Sequence, residues 1–120
     1  MQMSYGDVID RLSIAILKMF RTDETEPWRE CIEYCKAIHS VQLVDDNLIN
    51  DLRKMLQVNG QIWDLEAAVR QGKLDDDLME VGKRAIAIRE RNKIRVELKN
   101  KINERTTTGF IEIKKDHASE

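Results

Sequence analysis

One proline and five glycines punctuate 120 residues. So few breakers leave room for few turns, and the chain must run in long uninterrupted segments. Two cysteines cannot build a disulfide framework, and they fit a reducing, cytoplasmic setting. No apolar run approaches the roughly 20 residues that span a bilayer, so no membrane span is expected. The opening MQMSYGDVIDRLSIAIL carries acid ahead of its apolar stretch and no basic leader, unlike a secretory signal. A cationic excess is missing too. The formal net charge is −2 and the isoelectric point about 5.8, which argues against a dedicated nucleic-acid binder. There is no glycine-rich phosphate loop, no Gly-x-Ser-x-Gly elbow and no paired metal-binding motif.

What is present is charge and aliphatic bulk, with 35% charged and 42% hydrophobic residues. Abundant Lys, Glu, Asp, Arg, Leu and Ile with scarce Gly and Pro make the composition of a helical protein. At this length roughly two-thirds of the unfolded surface can be buried, enough for one domain without staples.

Ser4 can cap a first helix over about 4–21, with Asp7 at its third position. Val8, Ile9, Leu12, Ala15, Ile16, Met19 and Phe20 share one face at about 100° per residue, while Ile14 and Leu17 lie on another. This helix is therefore central in a bundle or part of an interface. TDETEP interrupts the pattern, and Pro27 suits the first turn of a second helix over about 26–39, carrying Trp28, Cys31, Ile32, Cys35 and Ile38. After the linker VQLV, Asp45 or Asp46 caps a third helix over about 46–71, closed by Gly72. Asp75, Asp76 and Asp77 open a fourth, over about 75–105. The third and fourth helices should form a long antiparallel hairpin. In the tail, 106–120, GFIEIKK alternates like a strand, with Ile111 and Ile113 on one side, and the last five residues are expected to be disordered.

Polar residues interrupt the apolar faces. Leu48, Leu52, Met55, Leu56 and Trp63 define the third helix's packing face, yet Asn59 and Glu66 fall inside it. On the fourth helix the stripe Leu78, Val81, Ala85 and Ile88 gives way to Ile94, Leu98 and Ile102, with Arg91 and Arg105 among them and Arg95 at the edge. A buried Arg needs an acid. The hairpin register puts Arg91 out of reach of Glu66, so Asp7 or Asp10 should meet Arg91 or Arg95.

The segments GDVIDRLSIAILK, NGQIWDLE and RNKIRVELKNKIN together resemble a family of small helical proteins of unknown function in bacteria and their phages. Its motif positions are here Asp7, Asp10, Arg11 and Lys18, then Asn59, Trp63 and Glu66, then Asn92, Arg95, Lys99 and Asn103. The match covers about a third of the chain in the right order. The resemblance implies no activity; through some relatives it implies a context of cell-surface sugar biosynthesis.

Asp7, Asp10, Lys18, Asn59, Trp63, Glu66, Asn92, Arg95 and Lys99 are thus the candidate site: either a cleft for an anionic small molecule or a polar network that fixes helix register. Cys31, Cys35 and His39 recur every four residues, but no second ligand pair follows, so no metal or other cofactor is expected. Asp7 and Asp10 are one acidic pair where a helical pyrophosphohydrolase needs several, and the Arg and Lys spacing fits a helical chorismate mutase poorly. The segment RERNKIRVELKNKINER is basic, but Glu90, Glu97 and Glu104 line one side and no aromatic lies between 64 and 109. Nucleic acid is therefore disfavoured as a partner. The resulting expectation is an all-α four-helix bundle-like domain dominated by the hairpin, homodimeric through its misplaced apolar residues Ile14, Leu17 and Val96. It should act as an interaction or accessory module with a protein partner, or alternatively as a binding protein or enzyme for an anionic small molecule.

Overall fold

A computed structural model describes residues 1–106 and 110–113. The fold is all-α and bundle-like: α1 (Tyr5–Arg21), α2 (Glu26–Ser40), α3 (Asp46–Arg70) and α4 (Leu78–Arg105). Two short strands, β1 (Gln2–Ser4) and β2 (Phe110–Glu112), pair antiparallel, with Met3 opposite Ile111. None of the described helices is long and apolar enough to cross a membrane.

The helix ends follow from side-chain chemistry. The Ser4 hydroxyl accepts from the Asp7 amide, and the Asp45 carboxylate from the Asn47 and Leu48 amides. Pro27 sits in the first turn of α2, where its missing N–H is no loss. Gly72, at φ +74°, ends α3 in a Schellman motif: its amide reaches the Val69 carbonyl and that of Lys73 reaches Ala68. Gln42, at φ 58°, ends α2 through the same pair of bonds, to His39 and from Leu43 to Ile38, without glycine's freedom. The fourth helix starts at Leu78 rather than 75. Asp77 is its cap, accepting from the Glu80 amide, while Asp75 and Asp77 close turns onto the Gly72 and Leu74 carbonyls.

The central position expected for α1 is observed, since it touches every other helix and both strands. Tyr5, Val8, Ile9, Leu12 and Ala15 are buried on one face, and so are Gly6, Asp10 and Ser13 beside it. Phe20, placed in the packing face by periodicity, is instead 79% exposed at the helix end. The face of α2 meets expectation at the buried Ile38 and the half-buried Cys31 and differs at the other three positions. Trp28, Ile32 and Cys35 point outward, and Glu30, Tyr34, Ala37 and Ile38 point in. The two rows lie roughly 140° apart on the wheel. In α3 the buried positions are Asp51, Met55, Val58, Asn59, Gly60 and Ile62, with Leu48, Leu52 and Leu56 half-buried beside them. Leu78 and Ala85 of the expected α4 stripe are exposed, and only Ile102 of that helix is fully buried. The strand-like tail is part of the core: Ile111 and Ile113 are almost fully buried against α1 and α2, next to Met3. The expectation of disorder falls on the last five residues, which lie outside the described ones.

Candidate functional site

The polar residues singled out on α1, α3 and α4 meet where α1 crosses the hairpin. Helix α1 runs parallel to α3 and antiparallel to α4, so Asp10 faces Asn59 on one side and Arg95 on the other. Gly6 permits the approach. A Cβ there would lie 2.6 Å from the Lys99 carbonyl oxygen and 2.9 Å from Asn103 Oδ1. The bare Gly6 amide instead donates to Asn103 Oδ1 at 2.7 Å, while Asn103 Nδ2 reaches the Ser4 hydroxyl at 3.3 Å. Helix α4 thereby caps the first turn of α1 in trans.

Asp10 is the centre. Its side chain is 3% exposed. Oδ1 accepts from Arg95 Nε at 2.8 Å and from Asn59 Nδ2 at 2.9 Å. Oδ2 accepts from the other arm of Arg95 at 2.6 Å, with Lys99 Nζ at 3.9 Å. This is a forked guanidinium–carboxylate pair, the strongest geometry available to two such groups. Asn59 also donates to the Ser13 hydroxyl at 2.7 Å, which donates to the Asp10 backbone carbonyl at 2.6 Å. Lys99 completes the set at 3.2 Å from Asp7, whose carboxylate faces solvent in part. The expected meeting of Asp7 or Asp10 with Arg91 or Arg95 is observed as Asp10 with Arg95. The carboxylate most deeply placed among the candidates is therefore fully occupied by its own chain.

The other candidates lie elsewhere. Lys18 is two turns beyond Asp10 on α1 and forms no ion pair with a described residue. Trp63 lies under two guanidinium groups, Arg21 at 5.8 Å and Arg70 at 5.4 Å from its ring centre. Glu66 is 4.0 Å from Arg70 and partly exposed. Arg84 does not turn to Glu66; it donates to Glu80 and to the Asp64 and Leu65 carbonyls. Asn92 borders a shallow depression with Arg89, Lys93, Val96 and Glu97. Sequence reasoning left Ser13 and Gly6 out of the cluster, and it named Asn103 as a motif position without placing it in the site. Asn103 continues the i, i+4 row Arg95–Lys99–Asn103, which is the signal that finds it. A second buried acid, Asp51, pairs with Arg105.

Cysteine chemistry gains no support. Burial, with the Cys35 thiol and Glu30 nearby, pushes the Cys31 thiol up to about 11, and burial raises that of Cys35 as well. An activated nucleophile needs the opposite shift. Among the described residues no three His, Cys, Asp or Glu side chains gather as a metal-ligand set.

No family model, characterised protein or solved structure matches the chain.

Proposed function

We propose that this chain is a non-enzymatic helical interaction module that works as a homo-oligomer in the cytoplasm. One observation carries the reading. The cluster that resembled a site is closed on itself, while large apolar side chains stand outside the core. Leu78 is 80% exposed, Met79 75% and Ile86 55%, and they share a face of α4 with Gly82. Nothing lies within 4 Å of a Cβ added at Gly82, so a partner helix has room to approach the backbone there. On α2, Trp28 and Ile32 form a second exposed row. Large apolar side chains grouped in this way on a helix face suit contact surfaces. Of the misplaced apolar residues, Val96 is 50% exposed, while Ile14 and Leu17 are half-buried and Leu17 faces Gly60, so the argument for self-association rests mainly on these faces.

Membership of the resembling family of small bacterial and phage proteins is part of the same proposal. Its support is spatial: Asp7, Asp10, Asn59, Arg95, Lys99 and Asn103, drawn from three weak motifs, meet at one helix crossing. Static light scattering across a concentration series tests the oligomer. A dimer that the pair Met79→Lys and Ile86→Lys converts to a folded monomer is the expected result. A monomer at the highest soluble concentration overturns self-association.

A further inference from the structure

On the face of the hairpin formed by Lys54, Gln57, Val58 and Gln61 of α3 and Arg91, Ile94 and Leu98 of α4 lies a groove of about 450 Å³. Its size is that of a small-molecule site. Its floor is apolar, with Val58 buried and Leu98 half-buried. Its walls hold two cations and two primary amides, and no acid lines it. The contrast with the rest of α4 is informative. Of the cations on its inner side, Arg84 meets Glu80, Arg95 meets Asp10, Lys99 meets Asp7 and Arg105 meets Asp51. Arg91 is half-buried in the same row and has no acid or hydrogen-bond acceptor among the described residues. Lys54, across the groove, has none either. A half-buried guanidinium with an open fork is poised for an anion.

Antiparallel register fixes how these groups are spaced. Gln61 stands level with Arg91, Val58 with Ile94, and Lys54 with Leu98. The groove therefore has Arg91 and Gln61 at one end, an apolar middle and Lys54 at the other. Seven residues separate Lys54 from Gln61, on the order of 10 Å at about 1.5 Å per residue.

We propose that this groove binds an elongated small molecule with an apolar middle and an acidic group at each end. One acid takes the Arg91 fork with the Gln61 amide, the other takes Lys54 with Gln57, and the chain between them covers Val58, Ile94 and Leu98.

The test uses straight-chain dicarboxylates and amide chemical shifts of the full-length protein. Octanedioate should shift Val58, Gln61, Arg91 and Ile94 as one patch. Butanedioate, too short to reach both ends, and the neutral octane-1,8-diol should bind at least about tenfold more weakly, the value of one lost charge-assisted bond. An eight-carbon bisphosphate distinguishes phosphate from carboxylate as the preferred end group; tighter binding than the diol by either anion supports the groove. Arg91→Gln and Lys54→Gln should each weaken binding about tenfold and leave the melting temperature unchanged, since neither side chain is paired in the fold. Three results overturn the proposal: equal binding of the diol and the dianion, shifts scattered outside the groove, or indifference of binding to both substitutions.

Discussion

The Asp10–Arg95 pair offers the sharpest test of how this bundle is held. Arg95→Met keeps the aliphatic stem and removes the fork. Asp10, almost without solvent access, then keeps only Asn59 at 2.9 Å and Lys99 at 3.9 Å. Removing one partner of a buried ion pair costs about 3–5 kcal/mol, because the survivor is left charged and under-solvated. The lower end applies here, since Asn59 and Lys99 remain. About 3 kcal/mol is roughly a hundredfold in the unfolding constant and a melting shift on the order of 10 °C. Asp10→Asn on its own faces an amide toward Arg95 and Lys99, and should cost about 2–3 kcal/mol by loss of the charge-assisted bonds.

The double variant carries the argument. With Met at 95 and Asn at 10 no buried charge is left, and the amide oxygen still accepts from Asn59. The double variant should therefore be more stable than Arg95→Met alone. Urea unfolding of the four proteins, fitted as a double-mutant cycle, measures this directly. If the two single losses simply add, the pair is not a coupled buried unit and the reasoning is wrong.

Three further outcomes follow from the structure. Gly6→Ala drives a methyl into the Lys99 carbonyl and should cost more than about 2 kcal/mol, whereas Gly82→Ala, in open space within the single chain, should gain about 0.5–1 kcal/mol in the monomeric Met79→Lys, Ile86→Lys background; thermal melts of both decide it. Burial, then the Asp51 and Asp45 carboxylates, push the Tyr5 phenol up to about 12 from 10, so the unfolded chain loses that proton first and stability falls as pH rises from 10 to 12. The Cys31 thiol, raised from 9.0 to about 11, adds a fall between those values; urea midpoints across pH 8–12 should decline from pH 9, with Cys31→Ala blunting the early part and Tyr5→Phe the late part. Ile111→Ala opens the core under a three-residue strand and should cost about 2–4 kcal/mol by denaturant titration; a loss under about 0.5 kcal/mol would show that β2 is dispensable.

Most helix limits, the start of α4 excepted, were legible because the caps are local. Ser4, Pro27, Asp45 and Gly72 each act within one turn of themselves, and each sits where expected. The Asp10–Arg95 pairing was within reach because hairpin register excluded Glu66 as the partner of Arg91 and a buried guanidinium demanded an acid. The buried face of α2 was not legible. That helix has two rows with apolar members, and only the position of α1 and β2 decides which is covered. Glu66 is left partly exposed for a related reason. Arg21, at the end of α1, reaches Asp64 at 2.9 Å. Beyond that level α3 has lost a neighbour, so a position that periodicity calls internal faces water. Strand β1 is three residues long, too short to carry a period.

Helix α4 explains why polar residues dominate this design. It has 28 residues and only one is fully buried, so burial of whole side chains alone does not hold it. Its inner side is instead fastened at intervals: Arg84 to α3 carbonyls, Arg95 and Lys99 to α1 acids, Asn103 to the α1 amide, Arg105 to Asp51. Each fastening has directional geometry, which sets register more sharply than a greasy stripe does. The fastenings to α1 all lie at residue 95 or later. Between them and Arg84 the hairpin is joined by the half-buried Ile88 and by the groove holding Arg91. That interval has an unmatched cation where its flanks have matched ones, and beyond it the hairpin tip carries exposed Leu78 and Met79. The half of α4 that takes no part in fastening α1 is thus the half with chemistry left over for something else to meet.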